Sequence, residues 1–388
     1  MSKKSTRRLL MCLIYGLAVI LVALLAVAKH MGENNIQLQH PTVPAVTTLP
    51  AQTTIPTTQA PTTQPTTAPP TTQPTTQAPT TEPPEPTEYV LTFVGDCTFA
   101  DTNENAHADS FSKVVGDDYD YPFADVVEYF RNDDCTFVNL ECTLSDRGVR
   151  KNKEYTYRGD PEYINILTRG SVEFANIGNN HSTDYGLVSH DDTVSLLNEA
   201  GIYYAEPAET VLFTTESGLT IGVYVNVEPF DTSNMAADVK RLRDQGAEII
   251  VGCFHWGMNY YYRVFPEMTK VGHLAIDVGI DIVYGHHSHL LQKVEEYNGG
   301  IIYYGVGNFC YGGSRNPRDK DTAIFQQTVI RDSDGTVRLG ELNVIPCHVS
   351  GILSYGNDYQ PTPMEVGSKA YERALSKLFG GWTVDNIK

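Results

Sequence analysis

Residues 280–292 read IDIVYGHHSHLLQ. An apolar run, Ile280 to Gly285, leads directly into three histidines within four positions, in a chain that has 11 in all. A short apolar run closed by glycine is the pattern of a buried strand. Polar side chains at its carboxyl end stand where α/β sheets build their sites. In an extended segment residues i and i+2 share a face. On that geometry His287 and His289 reach one centre. His286 should then point away, in a supporting role.

Outward from this stretch the arrangement repeats. YVLTFV (89–94) ends in Gly95-Asp96, and CTFVNLE (135–141) carries Asn139 and Glu141. VEFANIG (172–178) leads into Asn179-Asn180-His181, EIIVGCF (248–254) into His255, and GIIYYGVG (300–307) into Asn308. LTIGVYVNV (219–227) reads as a further strand. Helical spacing fills the gaps at 191–201, 236–246 and 266–279, each stopping at glycine, the last opening with Pro266. Strands alternating with helices predict an α/β fold. One polar strand end means little. Five of them, at Asp96, Asn139/Glu141, Asn180/His181, His255 and His287/His289, predict a common centre.

Asp, Glu, Asn and His form an oxygen and nitrogen donor set, suited to divalent Mn, Fe, Zn or Mg rather than to a thiolate metal. One or two ions fit such a set. A pair about 3.5–4 Å apart would activate a water and clamp a phosphoryl group. His181 stands where it could pass a proton to a leaving group. Isolated histidines carry no such weight: His107, His190, His273 and His348 read as surface or satisfied polar residues. Asp184 and Tyr185 read as turn formers. Tyr260, Tyr261 and Tyr262 suit a groove or plain packing equally. Asn180-His181-Ser182 fits a glycosylation sequon, a match that an inward-facing asparagine would make accidental.

Taken in order, the motifs are Gly95-Asp96, Asn139-Leu140-Glu141, Asn179-Asn180-His181-x-x-Asp184-Tyr185-Gly186, His255-Trp256-Gly257, Gly285-His286-His287-Ser288-His289 and Gly305-Val306-Gly307-Asn308-Phe309. Over roughly residues 88–350 this series resembles the CapA-type capsule-synthesis proteins, which are linked to poly-γ-glutamate capsule formation. That family in turn resembles the calcineurin-like metallophosphoesterases. The resemblance implies an α/β sandwich of two mixed β-sheets flanked by helices. It implies metal ligation by Asp96, Glu141, Asn180, His255, His287 and His289, with His181 as the catalytic histidine. Arg158, in Tyr157-Arg158-Gly159, also resembles a family position and could grip an anion through two parallel hydrogen bonds. Asn139, Asn179, Asp184, His286 and Asn308 fall in supporting places. Two departures matter. Thr98 stands where the phosphoesterases have a histidine, and their bridging aspartate is either replaced by Glu141 or absent, so one metal position is weakened.

The first ~90 residues are different material. Lys3, Lys4, Arg7 and Arg8 (within residues 1–8) precede an uninterrupted apolar run over 9–28. Its length suits a membrane-crossing helix, about 20 residues, and the basic flank predicts a cytoplasmic N-terminus. Ala26-Val27-Ala28 resembles a signal-cleavage site, but the run exceeds the usual ~7–15-residue signal core. Residues 29–87 form a linker, which from Pro41 is Thr, Pro, Gln and Ala, a composition that cannot bury a core. Extended, it would reach on the order of 100 Å. This predicts a single-pass cell-membrane protein with an extracellular domain at 88–350. A C-terminal extension follows (351–388), with a helix at 368–379 packed back on that domain.

The formal charge is −19, from 28 Lys+Arg and 47 Asp+Glu. Setting aside the four N-terminal cations leaves 24 against 47, or −23, outside. Such a body excludes nucleic acid as a partner through general electrostatics. The six exported cysteines show no zinc or disulfide spacing, although a Cys135–Cys142 bridge is open. Three functions follow: a part in synthesis or export of a poly-γ-glutamate-type polymer, with membrane-bound capsule-synthesis subunits as partners; a metal-dependent phosphoesterase-like hydrolase of an envelope substrate; or a non-catalytic surface binding module on a stalk.

Overall fold

The computed structural model describes residues 85–207 and 209–381. The expected cytoplasmic segment, transmembrane helix and nearly all of the linker lie outside the described residues. The linker ends slightly earlier than read, because Thr87 already opens the first strand.

In chain order the strands are β1 (Thr87–Thr98), β2 (Cys135–Leu140), β3 (Thr143–Leu144), β4 (Arg158–Gly159), β5 (Phe174–Asn176), β6 (Tyr203–Ala205), β7 (Thr210–Thr214) and β8 (Thr220–Val227). Then come β9 (Ile249–His255), β10 (Ile282–His286), β11 (Val294–Tyr297), β12 (Gly300–Tyr303), β13 (Asn308–Tyr311), β14 (Asp321–Arg331), β15 (Val337–His348) and β16 (Thr362–Pro363). β3 and β4 pair with each other, and the others form two mixed sheets. One runs β16-β15-β14-β1-β2-β5-β6, with β13 beside β1, and the other runs β11-β12-β10-β9-β8-β7. All seven strands read from the sequence are present.

The buried parallel strands follow from their composition. Every residue of β2, β9 and β10 is buried, as near-continuous apolar runs covered on both faces should be. Between the sheets lies one apolar cluster, with Leu91, Phe93, Phe137 and Phe325 from one sheet and Val223, Val251, Ile282 and Tyr303 from the other. Phe93 joins the layers, its ring 4.9 Å from Phe137 and 5.1 Å from Tyr284. Helices cover the outer faces. Leu197 of Leu187–Ala200 packs on the first sheet. Val239 of Met235–Asp244 and Met268, Val271 and Ala275 of Pro266–Asp277 pack on the second. The architecture is α/β with two mixed sheets flanked by helices.

The fold does not stop at residue 350. β16 pairs with β15, and helix Lys369–Phe379 sends Ala374 and Leu378 into the central cluster. The six described cysteines are buried and free, so Cys135 and Cys142 are not bridged.

Register brings the polar strand ends together. Asp96 lies opposite Asn308 on one side and Asn139 on the other, and His286 lies opposite His255. Two glycines allow this closeness. A Cβ on Gly95 would stand 2.3 Å from the Gly307 carbonyl oxygen, and one on Gly285 2.4 Å from that of Tyr304.

Candidate metal centre

Donor atoms of Glu141, His255 and His287 lie within 4.8 Å of one another, and so do those of Asp96, Glu141 and His289. Glu141 belongs to both triads, the place a bridging carboxylate would hold. Among the described residues its two carboxylate oxygens have no hydrogen-bond partner, and neither do Nδ1 of His255 and Nδ1 of His287. Buried polar atoms are normally paired. Here the unpaired Glu141 oxygens stand among the donor atoms of two candidate ligand triads. The set fits a divalent cation.

The electrostatics agree. Burial, then the adjacent Asp96 charge, pushes the Glu141 carboxyl well above the usual range. Burial also opposes ionisation of Asp96, but His286 and His289 together outweigh it and hold that carboxyl well below. Burial and the neighbouring His287 keep His255 well below the ordinary imidazole range. Burial and His289 bring His287 down to about 4. Neutral imidazoles are the form that ligates metal.

Supporting amides fix the ligands. Asn139 Nδ2 donates to Asp96 Oδ1 (2.8 Å). Asn308 Oδ1 lies 2.9 Å from His289 Nδ1, which also stands 3.1 Å from Asp96 Oδ2. Asn179 Nδ2 donates to the Leu140 carbonyl (2.9 Å), and its Oδ1 accepts from the His181 backbone N–H (3.0 Å).

His286 does not point away. β10 ends at His286, and the chain then turns through φ +86° at His287 and +57° at His289. Spacing by two on an extended strand therefore does not apply. The buried His286 ring turns inward, with Nδ1 3.3 Å from Asp96 Oδ1. Positive φ at a non-glycine residue costs about 1–3 kcal/mol and is concentrated at functional sites.

Asn180 needs a smaller correction. The residue is exposed rather than inward-facing, but its Oδ1 reaches His255 Nε2 (2.8 Å). His181 is buried, with Nδ1 2.6 Å from Asp184 Oδ2. Asp184 is therefore more than a turn former. It also accepts from Lys153 Nζ (2.7 Å) and from the Tyr157 backbone N–H (2.9 Å). Burial lowers the His181 pKa, outweighing the Asp184 charge, so the ring is neutral near neutrality. Arg158 is not brought to this cluster. Its Nη1 donates to the Arg147 carbonyl (2.8 Å), and its guanidinium pairs with Glu104 and lies 4.3 Å over the Tyr185 ring.

Residues 90–312, more than half of the chain, match the family described as bacterial capsule synthesis protein PGA_cap. The chain belongs to this bacterial capsule synthesis family. It is 26% identical over 294 residues to the capsule biosynthesis protein CapA of Bacillus anthracis, covering 68% of each chain. It is 23% identical over 278 residues to the PGA biosynthesis protein CapA of Bacillus subtilis, covering 65% of this chain and 71% of that one. Among solved structures, NAD nucleotidase of Haemophilus influenzae is similar at a TM-score of 0.38 and 12% identity, over 75% of this chain and 56% of that one. Purple acid phosphatase from yellow lupin is similar at 0.32 and 10%, over 73% and 57%. At those scores the likeness decides nothing about chemistry.

Every ligand candidate of this capsule-family chain lies inside the matched span. Thr98 is buried with its hydroxyl unpaired and belongs to neither triad. The sequence reading missed Lys153, which no motif marks. It also missed Asn176, four residues before Asn180 in the same run, whose Nδ2 donates to Asn139 Oδ1 (2.8 Å).

Proposed function

We propose that this protein is a membrane-anchored, extracellular component of poly-γ-glutamate-type capsule synthesis or export that works through a divalent-metal centre. Membership of the capsule family supports the pathway. The apolar run at 9–28 and the Thr/Pro-rich stretch after it support an anchor and a stalk, with membrane-bound synthesis subunits as partners. The observation that carries the metal centre is Glu141, buried, without a hydrogen bond among the described residues and shared by two candidate ligand triads.

Asp96, Glu141, Asn180, His255, His287 and His289 would hold the metal, as one ion or two. When bound it supplies Lewis-acid stabilisation of negative charge on a substrate oxygen. The chain supplies the rest. Asn139 and Asn308 fix the orientation of Asp96 and His289. Asp184 holds Nδ1 of His181, which leaves Nε2 to exchange a proton with the substrate. Lys153 holds Asp184 in turn. Deleting the gene and measuring surface polymer tests the pathway. Loss of polymer is expected, and unchanged polymer contradicts it.

The His181–Asp184 pair beside the ligands favours a second reading, a phosphoesterase-like hydrolase acting on an envelope substrate. That reading expects turnover of a generic phosphodiester with Mn, Fe or Zn, abolished by His287→Ala.

A further inference from the structure

A strongly acidic body is a poor cradle for a polyanion, yet its charge is unevenly spread. Residues 147–153, RGVRKNK, hold four cations and no carboxylate in seven positions, in a chain with 28 Lys+Arg among 388 residues. This segment is pinned to the His181 loop. Val149 N–H donates to the Tyr185 carbonyl (3.0 Å) and Lys151 N–H to that of Asp184 (2.8 Å). Lys153 Nζ donates to the Asn180 carbonyl (2.8 Å). Lys151 Nζ donates to Thr183 Oγ1 (2.6 Å), and Arg150 Nε to Thr156 Oγ1 (2.8 Å). Both residues are exposed, and among the described residues neither pairs with a carboxylate.

A second cationic rim borders the same centre. The Tyr260 ring lies 5.6 Å from the His289 ring, and the exposed Arg318 guanidinium stands 5.9 Å over Tyr260. Tyr260 holds φ +59°, another non-glycine residue kept in the left-handed region. Arg318 opens on a cleft of about 680 Å³, lined also by Lys320, Arg373, Lys377, Asp319 and Asp321. Cations outnumber carboxylates there. A lone exposed lysine or arginine is ordinarily just solvated. Arg147 and Lys153 are paired with Asp192 and Asp184, but Arg150, Lys151 and Arg318 are held by uncharged oxygens or by an aromatic face, with their charge left over, at two edges of one metal-ligand cluster.

We propose that Arg150 and Lys151 on the His181 rim, and Arg318 on the His289 rim, bind carboxylates of an extended polycarboxylate and lead the chain across the centre. This rests on the capsule-polymer reading and assigns residues to it. Anionic chains held by such contacts bind in a salt-dependent way, because ions screen exposed charges.

The test is fluorescence anisotropy of labelled poly-γ-glutamate with the purified full chain, at low and high salt. The wild type should bind at low salt and release at high salt. The triple variant Arg150→Gln/Lys151→Gln/Arg318→Gln, checked for folding by circular dichroism, should bind roughly tenfold or more weakly, the equivalent of about 1.4 kcal/mol. Arg150→Lys/Arg318→Lys should retain most of the affinity. Unchanged binding by the triple variant overturns the proposal, as does a wild type that ignores the polymer. Labelled polyphosphate bound as tightly, and lost to the same degree, would also overturn it by showing an unselective cationic rim. The capsule role is read separately, from surface polymer after gene deletion, so each can fail alone.

Discussion

Under the C-terminal helix, Asp321 accepts from Arg373 Nε (2.7 Å) and Nη2 (2.6 Å) and from Lys377 Nζ (2.7 Å), and Lys377 also reaches Asp319 (2.6 Å). At the strand ends Asp96 and Glu141 are equally buried, but among the described residues Glu141 has no lysine or arginine partner, only His255 Nε2 at 3.6 Å and His289 Nδ1 at 3.8 Å. Both clusters cost desolvation. The first offsets it with opposite charges from its own chain. The second offsets part of it with histidines and leaves one carboxylate to be protonated or to meet a cation from solution. The difference separates a structural ion cluster from a site.

The largest expected effect lies in the first cluster. Asp321→Ala strips the buried Lys377 of one anion and should lower stability by about 3–5 kcal/mol in urea unfolding. A loss under about 1 kcal/mol would mean that the pairing is not structural. Next comes the opposite sign. In chelated protein at pH 8, Glu141→Gln removes a carboxylate that burial and Asp96 disfavour. Stability should rise by about 1–2 kcal/mol. A fall of that size would mean that Glu141 is already satisfied inside the chain.

Asp133 sharpens the comparison from between the two. It is half-buried with only hydroxyl help, accepting from Thr136 Oγ1 (2.7 Å). Burial raises it from 3.8 to about 7, against the pull of Thr136 and Thr92. The folded pKa lies above the unfolded one, so its contribution is full below the unfolded value and is lost as pH rises through about 7. Asp133→Asn should be near neutral at low pH and stabilising by about 1 kcal/mol at pH 8, read from unfolding midpoints across pH. A pH-independent difference would contradict it. The smallest effect belongs to the exposed Lys240–Asp244 pair (2.6 Å), where Lys240→Ala should change stability by less than about 0.5 kcal/mol.

Much of this was legible in the sequence. Buried parallel strands are apolar runs, and a polar residue after each is easy to see, so β1, β2, β9 and β10 and the ligand candidates at their ends could be read directly. The long β14–β15 hairpin was not read, although Asp334-Gly335 between alternating strands is a hairpin signal. His286 was misplaced because the extended-strand rule fails once His287 and His289 take positive φ, and local pattern does not encode that turn. Asp184 looked like turn chemistry, because its partnership with His181 depends on how the loop folds. Arg158 matched a motif, yet Tyr185 and Glu104 hold its guanidinium. No motif marks Lys153, whose role depends on the loop that carries it.

The central claim is that Glu141 and its neighbours complete themselves with a metal. The most direct measurement is calorimetric titration of the chelated full chain with Mn and with Zn, beside Glu141→Gln and His289→Ala. The account expects one or two ions bound per chain by the wild type. It also expects a gain in stability on loading of about 2.7 kcal/mol at a hundredfold excess over Kd, with both lost or sharply weakened in the variants. A wild type that takes up no divalent ion, or variants that bind as well as it does, would contradict the account.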